Sequence, residues 1–311
     1  MEILVTGATG QIGTRLIEVL IEKGINPIVM VRNLDRSEII KKFIIDKKVR
    51  LVQMDLVQDI KHMENALKMY HPDILIHLGS VVDQRSDFFD SCRQMILVNM
   101  IGTMNLLKCL PHLKMICFPS STSVYGIPGY LPIDEDHPTY PVNTYCASKL
   151  SVEKLLAIYS KQLKVPTAIL RIASVYSELH YAPELKRAIP DFLRAIRDGN
   201  DLVVWGSGSI KRNFIFVDDV VSAILLAVKK MENGVFNIAS KRSETVKNAA
   251  ETIKMLIDRE LLIKHKDVNE IGVDCGFDIS RAGAELGFNP RFNLKDGLSR
   301  CLNALNTDIF N

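Results

Sequence analysis

The hydrophobic positions of this chain fall into short continuous runs that alternate with longer segments of helical spacing. Continuous apolar runs are typical of strands buried on both faces of a parallel sheet. Helical patterns separate these runs, so the order of elements predicts an α/β protein with a doubly wound parallel sheet. The predicted strands of the first half are Glu2–Thr6, Pro27–Val31, Val49–Met54, Asp73–Leu78, Leu113–Phe118 and Thr167–Ile172.

The second half alternates strands and helices less regularly, which predicts a smaller α/β lobe. We therefore expect a first domain over residues 1–174 and a substrate-binding lobe over residues 175–311, interleaved with the first, with a cleft between them. Trp205 is predicted to be a core residue rather than a platform for a base. The predicted elements are a helix within Tyr181–Gly199, strands Leu202–Trp205 and Val235–Ile238, and helices Val217–Lys230, Thr245–Asp258 and Leu294–Leu305.

Composition and charge limit the possible classes of protein. The chain has 311 residues, of which 47% are hydrophobic, and a net charge of +3 that is too small to indicate nucleic acid. No apolar stretch reaches the ~18 residues that a membrane span needs, and no leader pattern precedes the first strand, so we expect a cytoplasmic protein. The six cysteines include no C-x-x-C pair. They are predicted to be reduced thiols, and no metal site is expected.

A glycine motif connects the first strand to the first helix. Gly7, Gly10 and Gly13 stand in a strand–turn–helix setting, which is where such a motif indicates dinucleotide binding in a Rossmann-type sheet. Glycine permits the tight turn and the close approach of the backbone to a pyrophosphate. The free N–H groups of Gln11 and Ile12 are then expected to face the anion at the helix N-terminus.

The ends of the second and third strands bear on the choice of cofactor. An NAD enzyme usually has an acidic residue after the second strand, whereas this chain has Arg32, with Arg36 close behind. A guanidinium suits a 2′-phosphate, so NADP(H) is favoured over NAD(H). The alternative is that Arg32 is a solvated surface residue and Asp35 takes the acidic role. Asp55, after the third strand, is predicted either to accept a hydrogen bond from adenine or to cap the next helix.

Tyr145 and Lys149 lie four residues apart on a predicted helix that begins near Asn143. They share one helical face, and an ammonium beside a phenol favours the phenolate. Lys149 is therefore predicted to lower the pKa of Tyr145 from its usual ~10, although this spacing also occurs by chance. Ser121 follows the fifth strand, where ligands bind in parallel sheets, and a serine-rich turn is the alternative reading. His77 is predicted to pack in a hydrogen-bonded environment rather than to bind a ligand.

These motifs together resemble the extended short-chain dehydrogenase/reductase family, and within it the NAD(P)-dependent nucleotide-sugar epimerases and dehydratases. The resemblance rests on TGATGQIG at 6–13, DL at 55–56, SSTSVYG at 120–126 and YCASK at 145–149. It continues with WGSG at 205–208, RNFIFVDDV at 212–220, GVFNIA at 234–239 and LGFNP at 286–290. The resemblance therefore covers nearly the whole chain.

The resemblance implies a role for each matching residue. Tyr145 would be the acid/base in hydride transfer at a carbinol or ketone carbon, with Lys149 as its pKa modulator and ribose anchor and Ser121 bound to the same sugar oxygen. The substrate diphosphate would contact Ser174 and Arg212. The alternative for Arg212 is that it forms a solvated basic pair with Lys211. The cofactor would contact Gly7, Gly10, Gln11, Ile12, Arg32, Asp55, Leu56, Leu78, Tyr145 and Lys149.

Three departures from the family pattern qualify this expectation. The usual R-x-x-N-V-Y-G-P reads RIASVYS at 171–177, so Ser174 stands in place of the asparagine that grips a diphosphate. Thr122 and Ser123 replace the Asp-Glu pair of the dehydratases, which argues against 4,6-dehydration. Arg32 replaces the usual acidic residue after the second strand.

Several alternatives stay open on the sequence. The expected enzyme is an epimerase or a keto-reductase of a nucleotide sugar. The alternatives are a reductase of a non-sugar small ketone, or a sensor or scaffold that binds NADP(H) without turnover. The resemblance also implies a homodimer formed by the helices around 88–110 and 143–163, which could equally be buried within one chain.

Overall fold

The computed structural model describes residues 1–82, 87–178, 187–257, 260–268 and 272–306, without the side chains of Arg36 and Asn306. Two predicted segments have one end outside this description, since Tyr181–Gly199 begins at Tyr181 and the helix Thr245–Asp258 ends at Asp258. The side chain of Arg36, named above beside Arg32, also lies outside it. The described strands are β1 (Ile3–Thr6), β2 (Ile28–Val31), β3 (Arg50–Gln53), β4 (Ile74–His77), β5 (Met115–Ser121), β6 (Thr167–Ile172), β7 (Ser174–Tyr176), β8 (Leu202–Trp205), β9 (Lys211–Arg212), β10 (Phe214–Phe216), β11 (Gly234–Ile238), β12 (Glu244–Thr245) and β13 (Ile263–Lys266).

The helices lie between these strands much as the apolar spacing predicts. A π-helical segment, Ile96–Ile101, joins the fourth and fifth helices into one long element. The described helices are α1 (Gln11–Glu22), α2 (Glu38–Ile45), α3 (Ile60–Leu67), α4 (Phe88–Met95), α5 (Gly102–Lys108), α6 (Thr144–Leu163), α7 (Ala188–Arg197), α8 (Val217–Lys230), α9 (Val246–Leu256) and α10 (Leu294–Asn306).

Seven strands form one parallel sheet in the order β11-β6-β5-β4-β1-β2-β3. The chain winds outward from β1 through β2 and β3, and then returns to β4 on the other side of β1. This reversal creates a crevice at the carboxyl ends of β1 and β4, where ligands bind in open α/β sheets. The predicted doubly wound, Rossmann-type architecture is confirmed.

Alternate residues of each strand supply the two faces of the sheet. Ile3 and Val5 face one buried apolar cluster, whereas Leu4 faces the other, as the two-residue period of a strand requires. Helices cover both faces, so the central strands read as continuous apolar runs rather than as alternating ones.

The second half of the chain also contributes to the main sheet. Strand β11 pairs with β6 in parallel register, from Gly234 opposite Ala168 to Ile238 opposite Ile172. The remaining strands pair in twos outside the main sheet, as β7 with β10, β8 with β13 and β9 with β12. The boundary between residues 174 and 175 stays a prediction.

Two whole-chain properties complete the description. All six cysteines are free, and in the described part of the chain no group of three His, Cys, Asp or Glu side chains is arranged to hold a metal ion. None of the described helices has the length and apolar character needed to cross a membrane. The cytoplasmic location stays a prediction.

Candidate active site

A cleft of about 880 Å³ opens at the carboxyl ends of the central strands. It is lined by residues from the glycine turn, the loop after β4, β5 and α6 on one side, and by strands β7 and β9 and loops of the second half on the other. The structure therefore gathers side chains that are far apart along the chain. The predicted site residues that line it are Gly7, Gly10, Gln11, Ile12, Leu78, Ser121, Tyr145, Lys149, Ser174 and Arg212.

The glycine turn has the geometry that a dinucleotide requires. Gly7 has a φ of +67°, and a Cβ there would lie 2.7 Å from the carbonyl carbon of Leu78. A Cβ on Gly13 would collide with the carbonyl oxygen of Gly7. Helix α1 has no side-chain cap at Gly10 and no acidic residue in its first turn. This uncapped, positively polarised end fits the pyrophosphate of NAD(P).

The predicted adenine side lies outside this cleft. The Asp55 carboxylate accepts a hydrogen bond from the Val57 N–H at 3.2 Å, within a local turn, and it lies 3.9 Å from the Arg32 guanidinium. Asp55 does not cap the next helix, α3, because the N-cap of that helix is Asp59. Leu56 is buried, and its side chain packs where any Cβ on Gly79 or Gly102 would lie. Leu56 is thus a packing residue in the described structure.

Tyr145 and Lys149 lie in the first turns of α6. The Asn143 side chain accepts from the Cys146 N–H at 2.9 Å and so fixes where this helix begins. The side-chain amide of Asn99, in the π-helical segment, donates to Ser148 Oγ at 3.0 Å and to the Val81 carbonyl. The long helix thereby holds α6 against the cleft, and the polar Asn99 is satisfied by these partners.

The charges at this site differ from the sequence prediction in one respect. Burial raises the pKa of Tyr145 to about 12, and the cation that partly offsets this effect is Arg187 rather than Lys149. Burial also lowers the pKa of Lys149 to about 8, opposed by Glu153. The Lys149 ammonium donates to the Pro119 carbonyl at 2.7 Å and lies 4.3 Å from the centre of the Phe118 ring. The predicted lowering of the Tyr145 pKa is therefore wrong for this structure.

Ser121 is the last residue of β5, not part of the turn after it. Strand β5 pairs with β6 as far as Ser121 opposite Ile172. Its Oγ accepts from the Ser123 N–H at 3.2 Å and lies 2.7 Å from Ser123 Oγ. This arrangement fixes the Ser121 hydroxyl at the wall of the cleft, where it can donate a hydrogen bond.

Ser174 and Arg212 come together at the other end of the cleft. The Ser174 N–H donates to the Asn213 carbonyl at 3.0 Å, which sets β7 beside β10 and next to Arg212. The Asn213 side chain is fixed in turn, because its Oδ1 accepts from the Ser240 N–H at 2.8 Å. Two residues implied by the resemblance are therefore neighbours, although 38 positions separate them.

The structure adds residues that the sequence reasoning did not single out. Arg187, at the start of α7, lines the cleft, and its buried Nε has no hydrogen-bond partner among the described residues. Burial lowers its pKa, while Tyr145 opposes this effect. Cys275 also lines the cleft beside Arg212. An arginine before a helix is too common a pattern to mark such a position, so the sequence carried no usable signal.

His77 is a buried packing residue, as predicted. Its Nδ1 lies 2.7 Å from Thr6 Oγ1 and its Nε2 lies 2.8 Å from Thr103 Oγ1. Burial, with a contribution from Lys149, lowers the pKa of His77 to about 3, so the ring is neutral at pH 7. It connects the end of β4 to α5 without facing the cleft.

The cleft is electrostatically one-sided. Its described lining contains three cationic side chains, Lys149, Arg187 and Arg212, and no carboxylate. An adjoining cavity of about 540 Å³ shares Arg187 and Arg212 with it and extends to Trp205. The cationic lining of the cleft suits ligands that carry several negative charges.

Trp205 is 45% exposed and lies under the Lys266 ammonium, so its predicted core position is wrong.

The fold and this cleft define a dinucleotide-binding enzyme of the short-chain dehydrogenase/reductase class. A profile of the NAD dependent epimerase/dehydratase family matches residues 3–239. The chain belongs to this family. Its members are enzymes, so the sensor or scaffold alternative is not supported.

Known proteins similar to this chain share almost its whole length. A putative UDP-glucose 4-epimerase of Methanocaldococcus jannaschii is 29% identical over 97% of each chain. A dTDP-4-dehydro-6-deoxyglucose reductase of Escherichia coli is 27% identical, also over 97% of each chain. Among solved structures, the UDP-glucose 4-epimerase of Thermotoga maritima with UDP-glucose has a TM-score of 0.84 and 26% identity, covering 98% of this chain and 99% of that one.

Proposed function

We propose that this protein is an NAD(P)-dependent epimerase or keto-reductase that acts on a nucleotide-activated sugar. The observation that carries the proposal is the single cleft that joins the glycine turn, Ser121, Tyr145 and Lys149 to Ser174 and Arg212. A dinucleotide on the glycine turn and a nucleotide diphosphate near Arg212 would both carry negative charge. The cationic side chains that line the cleft, Lys149, Arg187 and Arg212, would stabilise that charge. The relatives named above, one an epimerase and one a reductase, support the same substrate class.

Each residue of the cleft has a distinct task in this proposal. Tyr145 Oη takes a proton from the sugar hydroxyl in one direction and returns it in the other. Ser121 Oγ donates a hydrogen bond to the same oxygen, and the Lys149 ammonium would anchor the ribose of the bound cofactor. Arg212 pairs with the diphosphate. Bound NAD(P) supplies the group that takes up or delivers a hydride.

The described lining also argues against loss of water as the reaction. Such a reaction needs an additional acid and base beside the sugar. Thr122 and Ser123 occupy the relevant positions, and the described part of the cleft wall has no carboxylate. The proposal is therefore confined to chemistry at one carbinol or ketone carbon.

A substrate panel tests this function. The protein is incubated with UDP-glucose, UDP-galactose, UDP-glucuronic acid or dTDP-4-dehydro-6-deoxyglucose, with each nicotinamide cofactor, and with UDP alone as the control. An epimerase converts one sugar to its epimer without net change in reduced cofactor, whereas a keto-reductase consumes one reduced cofactor per sugar. Conversion of a simple non-sugar ketone, with no reaction of any nucleotide sugar, would contradict the proposal.

For the cofactor, we propose that NADP(H) is preferred over NAD(H). Arg32 follows β2 directly, and its side chain is 43% exposed with only a long 3.9 Å approach to Asp55. It is therefore available for a 2′-phosphate. The acidic alternative, Asp35, has its carboxylate 3.4 Å from the Lys41 ammonium instead. The family description names NAD, so this preference goes beyond the family assignment.

Replacing Arg32 with aspartate should weaken NADPH binding by about tenfold or more, because a charge-assisted hydrogen bond is lost and a like charge is introduced. NADH binding should be little changed. Dissociation constants from nicotinamide fluorescence measure both effects, with Asp35→Asn as the matched control. Tighter NADH binding by the wild type, or an unchanged preference in Arg32→Asp, would defeat this part of the proposal.

We also propose a homodimer through the long helices. Apolar side chains stand exposed on them, among them Phe89 at 79%, Ile101 at 46% and Ile158 at 54%. Burial of such a surface favours association. Sedimentation should show two copies for the wild type and one for Ile101→Asp combined with Ile158→Asp. Met69→Asp, at a more exposed methionine outside these helices, should not change the result, and a monomeric wild type would refute the dimer.

A further inference from the structure

A second cavity, of about 510 Å³, lies in the C-terminal part of the protein. We call it the basic cavity. It lies between the loop after β11, the start of α9 and the loop that enters α10, and it shares no lining residue with the catalytic cleft. Its described lining is Phe214, Ser240, Lys241, Arg242, Glu244, Asn248, Thr252, Pro290, Arg291, Phe292, Asn293, Leu294 and Lys295.

Positive charge dominates the lining of the basic cavity. Lys241, Arg242, Arg291 and Lys295 contribute four cations, and within the described ranges none of them forms an ion pair with a carboxylate. The one acidic side chain, Glu244, accepts from Asn248 Nδ2 at 2.7 Å. Four like charges around one concave space repel each other, so an anion placed there would be stabilised by all of them.

The floor of the basic cavity is apolar. Phe214 and Pro290 are buried, and Phe292 packs against Phe216 with ring centres 4.6 Å apart. An apolar floor with a few charged groups around it is the usual form of a small-molecule site, and the volume lies within the ~300–1,000 Å³ range of such sites. A concave site of this size suits a small molecule rather than an extended nucleic acid, whose backbone needs a continuous basic surface.

The walls of the basic cavity are fixed by hydrogen bonds. Asn213 Nδ2 donates to the Ser240 carbonyl at 3.0 Å, which holds the loop that bears Lys241 and Arg242. The Asp219 carboxylate accepts from the N–H groups of Arg291 at 2.8 Å and Phe292 at 3.1 Å. The cavity is therefore preformed, and a ligand need not order it.

From these observations we propose that the basic cavity binds a phosphorylated small molecule, with its phosphate among the four cations and its apolar part on Phe214 and Phe292. Nothing in the catalytic cleft requires this site, since cofactor and nucleotide sugar are both accounted for there. It is an additional ligand site, for a metabolite that carries both a phosphate and an apolar ring or chain.

Calorimetric titration with phenyl phosphate and with inorganic phosphate tests the proposal. The wild-type protein is first saturated with NADP+ and UDP, so that the anion-binding parts of the catalytic cleft are occupied. We expect one phenyl phosphate per chain, bound several-fold more tightly than inorganic phosphate. Arg291→Glu should weaken it by about tenfold or more, because a charged hydrogen bond is replaced by repulsion.

Lys254→Glu is the matched control, since Lys254 is exposed on α9 outside the basic cavity and the change in net charge is the same. Lys295→Glu is a second test variant, used if Arg291→Glu fails to fold. Equal binding by the test and control variants, equal affinity for the two phosphates, or no binding to the wild type would each overturn the proposal. Because binding is measured directly, the result does not depend on whether the enzyme turns over a nucleotide sugar.

Discussion

Replacing Tyr145 with phenylalanine should lower turnover by about 10²–10⁴-fold, the range that a positioned acid/base contributes. The hydroxyl group is the only part removed, so the ring still fills its place on α6. Burial holds the pKa of this phenol at about 12 in the structure, which keeps the proton on Tyr145 Oη at pH 7. The hydroxyl is therefore ready to act as an acid in the reductive direction.

The dissociation constant for NADP+ should change by less than about threefold in Tyr145→Phe, because the glycine turn is untouched. Initial rates with the active nucleotide sugar and fluorescence titration of the cofactor measure the two effects. Tyr159→Phe is the matched control, since Tyr159 is also partly buried on α6 and does not line the cleft. Full turnover in Tyr145→Phe would remove Tyr145 from the mechanism.

Replacing Glu153 with leucine should lower the free energy of unfolding by about 3–5 kcal/mol, because it leaves the Arg171 guanidinium buried without its partner. The two side chains are 2% and 4% exposed, and Arg171 donates to Glu153 at 2.8 Å. Glu153 also accepts from Ser120 Oγ at 2.5 Å, next to Ser121. The pair therefore ties α6 to β5 and β6 directly behind the catalytic residues.

Urea denaturation of Glu153→Leu, Arg171→Met and the double variant measures this effect. The double variant should lose much less than the sum of the single losses, because neither charge is then left alone. The partly exposed pair Arg194–Asp191 gives the control, and Arg194→Ala should cost no more than about 1 kcal/mol. Additive losses would show that Glu153 and Arg171 do not act as a pair.

Much of the fold followed from apolar runs and helix caps. Strands β6 and β8 and helix α8 begin and end where the sequence predicted. The sequence predicted that β5 ends at Phe118, three residues before its observed end at Ser121. Pro119 and the hydroxyls after it are typical of a turn, yet pairing with β6 carries the strand on to Ser121. A partner strand thus overrode the local preference.

The catalytic end of the site was more predictable than its surroundings. Glycine spacing and the Tyr145–Lys149 pair are local patterns, so the sequence shows them directly. The pKa of Tyr145 depends on burial and on Arg187, which is 42 positions away. The exposure of Trp205 depends on how the second half packs. Such contacts between distant segments leave no periodic or spacing signal in a single sequence.

The most direct test of the account is a crystal structure of Tyr145→Phe with NADP+ and the nucleotide sugar on which the wild type is active. We expect the cofactor pyrophosphate within hydrogen-bonding distance of the Gln11 and Ile12 N–H groups. One sugar oxygen should lie within ~3.2 Å of Ser121 Oγ and in contact with the ring of residue 145. A dinucleotide bound elsewhere, or a sugar that contacts neither residue, would contradict the account.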